Sequence, residues 1–145
     1  MADLSPHSPD ELDLYITALT AGLATMTGIN QAPEHPPDSL EDCPMVVCHI
    51  VETDTTRSPT ITCLIYGDVL LDRNSLPVVE AAARPYILLG TEYFLGHVTQ
   101  DGTCAQQDLF HIDGPGPITW AGKDHFGVRY HIKTKFHVNR LSISP

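Results

Sequence analysis

His111 and Asp113 stand two residues apart, so on any extended segment their imidazole and carboxylate fall on the same side. That spacing suits a carboxylate-oriented general base or half of a metal-ligand set. The motif is short and unspecific, and Asp113 is equally well placed to open a turn ahead of Gly114. These two are the candidate catalytic residues. His125, His131 and His137 recur every six residues and would share one face of a strand. Six residues span roughly 20 Å at a strand's rise, too far for one ion whose bonds are about 2 Å long. Each would need a partner from a neighbouring strand, so no metal site and no cofactor is assigned from the sequence.

Arg129, His131, Lys133 and Lys135 alternate with Phe126, Val128, Tyr130, Ile132, Thr134 and Phe136. Period-two segregation of this length makes a strand with one apolar and one basic face. The basic quartet is the candidate ligand-binding set. Residues 123–145 hold five of the eight basic side chains and one of the eighteen acidic ones, in a chain of net charge −10. A basic face could take an anionic partner, but two observations, and the stacking requirement that gives the first its weight, oppose nucleic acid. The strand's own aromatics point to the other face, the acidic body repels a polyanion, and stacking platforms need rings beside the cations. A solvated face partly neutralised by the chain's own acids accounts for the pattern equally simply.

Other chemistry finds little support. Cys43, Cys48, Cys63 and Cys104 have no Cys-x-x-Cys spacing, and buried thiols are the plain expectation. Cys48 and His49 are adjacent and would face opposite ways on a strand, which argues against a thiolate–imidazole pair. There is no phosphate-cradling glycine loop, no Gly-x-Ser-x-Gly and no His-Glu-x-x-His. Whether the chain is an enzyme stays open.

The elements that must carry these residues begin with a helix over 9–27. Ser8 is three residues ahead of Glu11, Pro9 stands at the first helical position, and Leu12, Tyr15, Ile16, Leu19, Leu23 and Met26 recur at helical spacing. Ala18, Ala21, Gly22 and Thr25 on its other side would let a neighbour approach closely. Residues 30–44 carry four prolines and four acids and read as an extended connector. From 45 to 141 the signal is β. Strands are expected over 45–53 and 60–66, joined by a hairpin through 54–59. A tight turn is expected at Gly67-Asp68, and a short helix at 77–83. A central strand over 86–98 would bend at Gly90 and Gly96. A weaker strand at 103–112, a rigid loop at 113–117, a short strand at 118–121 and the long strand at 125–139 complete the body.

At 145 residues with 42% hydrophobic and 18% charged composition, one domain over 1–145 is expected. The fold class is mainly β: a bent antiparallel sheet or small β-barrel of about six strands with the N-terminal helix packed on it. A five-stranded closed barrel with 77–83 as its helix is one version. A curved sheet enclosing a pocket is the other. The N-terminus has no basic region before an apolar run, and no Asn-X-Ser/Thr site occurs. With no apolar run long enough to span a bilayer, a cytoplasmic protein without a membrane partner is expected. The leading expectation for function is a non-enzymatic binding or assembly module, contacting a protein partner or itself through its sheet surface. A small enzyme using His111 and Asp113 inside a curved sheet comes second, and nucleic-acid binding through the C-terminal strand third.

Overall fold

The computed structural model describes residues 11–33, 43–56, 60–71, 76–100, 102–120 and 123–137. The expected cap at Ser8 lies outside them, as does most of the 30–44 connector. The long alternating segment is strand β4, Lys123–His137. It sits between two others, because both of its hydrogen-bonding edges find partners. One is β2, Thr60–Leu71, antiparallel with Ile132 opposite Ile65 and Arg129 opposite Asp68. The other is β3, Gln106–Trp120, also antiparallel. Strand β1, Met45–Asp54, pairs with β2 through the expected hairpin. The order β1-β2-β4-β3 leaves β1 and β3 as edges, so among the described residues the sheet is open and four-stranded.

A barrel of about six strands is therefore not what forms, and the reasons are local. Gly67-Asp68 does not turn: β2 continues to Leu71, with Gly67 flat against Leu23 and Asp68 buried on the other face. The expected loop at 113–117 is crossed by β3, which absorbs it in a register shift between Asp113 and Gly116, with Gly114 at φ +101°. Residues 86–98 are not a central strand but mostly helix. Helix α2, Leu76–Ala83, was expected, and α3, Pro85–Gly96, continues from it past Arg84. The buried residues of α3 are Tyr86, Gly90, Tyr93 and Phe94, an i, i+4, i+7, i+8 pattern that belongs to a helix. Gly90 is not a bend: a Cβ there would stand 2.3 Å from the Tyr130 ring.

Helix α1, Glu11–Leu23, lies on the sheet face that carries the even residues of β4. Tyr15, Leu19 and Leu23 pack there with Ile65, Val128, Tyr130, Ile132 and Phe136, as their spacing predicts, whereas the helix stops at Leu23 rather than 27 and Met26 joins the core from the turn that follows. The small residues on α1 admit a neighbour, since a Cβ on Gly22 would fall 1.9 Å from the Tyr93 hydroxyl. A buried polar network fixes this layer. The Tyr15 hydroxyl donates to Gln107 Oε1 (2.7 Å) and meets Thr134 Oγ1 (2.8 Å), while Tyr93 donates to Gln100 Oε1 (2.7 Å). Gln107 Nε2 donates to the same Gln100 oxygen, so the five side chains satisfy one another. The connector's two ends are tied side by side: Asn30 N–H donates to Pro44 O and Val46 N–H to Gln31 O.

On the opposite face a smaller cluster buries Cys43, Met45, Val47, Leu70 and Ile118 at one end of the sheet. The rest of that face is open, and β4 shows the asymmetry residue by residue. Phe136 is 3% exposed and meets the Tyr15 ring edge-on at 5.5 Å, whereas Lys135 is exposed. Phe136→Ala should cost about 3–5 kcal/mol in urea unfolding, and Lys135→Ala no more than about 0.5 kcal/mol. Equal losses would mean that the strand faces the other way.

Candidate functional site

The open face gathers the charged and aromatic residues that the core excludes. Its centre is built by register. Pairing of β4 with β2 sets Arg129 opposite Asp68 and His131 opposite Tyr66. Pairing with β3 sets Asp113 opposite Arg129, and a one-residue shift between Leu109 and His111 brings His111 opposite His131. Without that bulge Phe110 would oppose His131, and His111 would turn toward the helices.

Asp113 joins the two imidazoles. His131 Nε2 donates to its Oδ2 at 2.7 Å and His111 Nε2 to its Oδ1 at 2.9 Å. These bonds, His131's first and His111's second, hold the Asp113 carboxyl below the usual carboxylate range. His111 and Asp113 are more than half exposed, while His131 is 15% exposed. The His131 ring is held by Tyr66, with ring centres 4.7 Å apart, and by Phe110 at 5.9 Å. On the other side of Tyr66, His49 stands edge-on at 5.6 Å, and burial lowers its pKa below the ordinary value.

Arg129 is committed elsewhere. Its Nε and Nη2 donate to Asp68 Oδ1 and Oδ2 at 2.8 and 3.0 Å, a fork-to-fork pair around a carboxylate with no exposed surface. Its guanidinium lies 4.3 Å from the Tyr66 ring centre. The hydrogen bonds to Asp68 raise the Arg129 pKa. A role in gripping an external anion would require Arg129 to abandon Asp68.

Lys133 and Lys135 stand further along β4. Lys133 Nζ lies 4.7 Å from the Phe110 ring centre, and Phe110 is 48% exposed. Beside them runs a groove of about 620 Å³ floored by Leu64 and Thr62 and walled by Phe110, Lys133 and Lys135 opposite Glu52, Thr53 and Asp54. A smaller hollow of about 330 Å³ lies between the Gly114–Ile118 run and Arg129.

The structure thus unites His111, Asp113 and His131, and separates them from Lys133 and Lys135. The three histidines of β4 stay apart, and His137 meets Thr60 Oγ1 at 3.1 Å. His111 and Asp113 lie on an open surface rather than inside an enclosing pocket. Sequence reasoning missed Glu52, Asp54, Tyr66, Asp68 and Phe110. One signal existed: Asp68 interrupts an apolar run from Val69 to Leu71 on one side and Ile65-Tyr66 on the other, and a buried acid requires a cation. All four cysteines are buried thiols. Burial pushes Cys48 up to about 12 and Cys104 to about 11, so neither supplies a thiolate near neutrality. Cys48 and His49 do face opposite sides of β1. Among the described residues, no helix is long and apolar enough to cross a membrane. No protein-family model matches the chain, and no curated protein matches it either.

Proposed function

We propose that this chain is a non-enzymatic assembly module whose open sheet face meets a second copy of itself. The supporting observation is the charge layout of the groove. Glu52 and Asp54 line one wall and Lys133 and Lys135 the other, with Leu64 between them and the exposed Phe110 standing behind Lys133 on β3. A surface with acids on one side and bases on the other is complementary to its own copy turned by a two-fold axis, in which residue i meets j and j meets i. An apolar floor between charged walls, with an exposed aromatic beside it, is a familiar anatomy for such contacts.

The alternatives have weaker support. A small enzyme of the expected kind would hold His111 and Asp113 inside an enclosing pocket, and both instead lie exposed on the open sheet face. Nucleic-acid binding gains Tyr66 and Phe110 on the basic face, contributed by β2 and β3. However, Arg129 is bound to Asp68, and Glu52, Asp54, Asp108 and Asp113 share the face with the two lysines.

Sedimentation velocity over a concentration series tests the proposal. Wild-type protein should self-associate reversibly. Lys133→Glu/Lys135→Glu should be monomeric, and so should Glu52→Lys/Asp54→Lys, since each makes the groove a single sign. Mixed in equal amounts, these two variants should form a heterodimer, because both contacts across the axis then pair opposite charges. A monomeric wild type, or a mixture that stays monomeric, would refute self-assembly through this face.

A further inference from the structure

We infer that His111, Asp113 and His131 form a binding site for a divalent transition-metal ion of the zinc class, held across β3 and β4. Phe110 borders both this site and the groove, but none of the three ligands lines the groove, and the site does not depend on the assembly reading. Each of the three residues offers one ligand atom, and these atoms all lie within 4.8 Å of one another. With metal–nitrogen and metal–oxygen bonds of about 2.0–2.2 Å, tetrahedral ligand atoms sit roughly 3.3 Å apart. The present separations of 2.7 and 2.9 Å from Asp113 to the two Nε2 atoms need open by only about half an ångström. His111 and Asp113 are exposed and can make that adjustment by side-chain rotation. His131 is the fixed ligand, since Tyr66 and Phe110 hold its ring.

The backbone supplies a second, independent argument. The bulge between Leu109 and His111 serves to place His111 opposite His131 on the open face. Bulges commonly re-aim a side chain in this way. The donor set then selects the ion. Two imidazoles and one carboxylate suit zinc, cobalt or nickel, whereas magnesium and calcium prefer oxygen alone. In the bound form each Nε2 presents its lone pair, its ring proton resides on Nδ1, and Asp113 gives an oxygen to the ion in place of the two N–H···O bonds. The exposed side of the cluster leaves a fourth position for water. A net charge of −10 on the chain favours cation capture.

Titration of the purified full chain with Co²⁺ and Zn²⁺, followed by calorimetry and visible absorption, tests the site. One Zn²⁺ should bind per chain with a dissociation constant of about 10 μM or tighter. Bound Co²⁺ should show d–d bands with no thiolate charge-transfer band. His111→Ala and Asp113→Asn alter exposed side chains and should fold as wild type by circular dichroism, yet each should weaken Zn²⁺ by more than about tenfold. His137→Ala, on the same face but remote along the strand, should leave affinity unchanged. Excess Mg²⁺ should not displace the ion. Absence of saturable binding, affinity indifferent to His111→Ala and Asp113→Asn, or a thiolate band from the cysteines would each overturn the assignment.

Discussion

Arg129→Ala should destabilise the fold by about 3–5 kcal/mol, a large part of the roughly 5–15 kcal/mol that holds a domain of this kind together. The cause is the partner left behind. Asp68 has no exposed surface and receives both arms of the guanidinium, so truncating Arg129 strands a carboxylate between β1 and β4 with no compensating cation. Arg129→Lys keeps the charge but loses the two-armed geometry and the flat contact over Tyr66, so it should recover part of the loss. Replacing both residues by leucine should cost less than Arg129→Ala alone, because the pair's desolvation cost disappears with it. Denaturant unfolding of the four proteins measures all of this in one cycle. A loss below about 1 kcal/mol for Arg129→Ala would show that water reaches Asp68.

Gly127→Ala should be as damaging or worse, and through sterics alone. A Cβ at this position would stand 1.9 Å from the Val69 carbonyl oxygen and 3.3 Å from Leu70 Cα, both backbone atoms of the neighbouring central strand. Neither can swing aside as a flexible side chain would. Strands β2 and β4 would have to part where Leu70 pairs with Gly127, breaking ladder bonds in the middle of the sheet. We expect a loss of about 4 kcal/mol or more, or failure to accumulate folded protein. Gly116→Ala provides the control in the same region. Its nearest neighbour would be 3.9 Å away, so it should stay within about 0.5 kcal/mol. Equal stability of the two variants would contradict the tight β2–β4 approach.

These two positions also show what was legible in the sequence. The alternation over β4 correctly predicted one buried and one exposed face, because period-two patterning is imposed by the pleat itself. The core stripe of α1 followed for the same kind of reason, with a period of 3.6. By contrast, Gly67-Asp68 has the composition of a turn, yet the glycine admits Leu23 and the aspartate answers an arginine 61 residues away. No local rule carries that information. Residues 86–98 are apolar on every side, so periodicity alone could not separate helix from strand. Their length, greater than a typical strand, favoured the helix that forms. His111 and Asp113 were visible as a pair, but His131 joined them only through the register of β3 on β4. The bulge that sets this register leaves no mark in the sequence that a pattern search would find.

The strand order has a consequence in time. A ribosome delivers β1 and β2 together, and that hairpin can close as soon as it is made. Strand β3 is synthesised next, but its neighbour in the sheet is β4, which is also the neighbour of β2. Until residues 123–137 emerge, β3 has no partner, β2 shows a bare inner edge, and α1 has only half a floor to lie on. The last described strand is therefore the keystone: β3, the inner edge of β2 and the floor of α1 all wait for it. During that interval the apolar faces of β2 and α3 are exposed together, which is the state in which nascent chains are most prone to pair with one another.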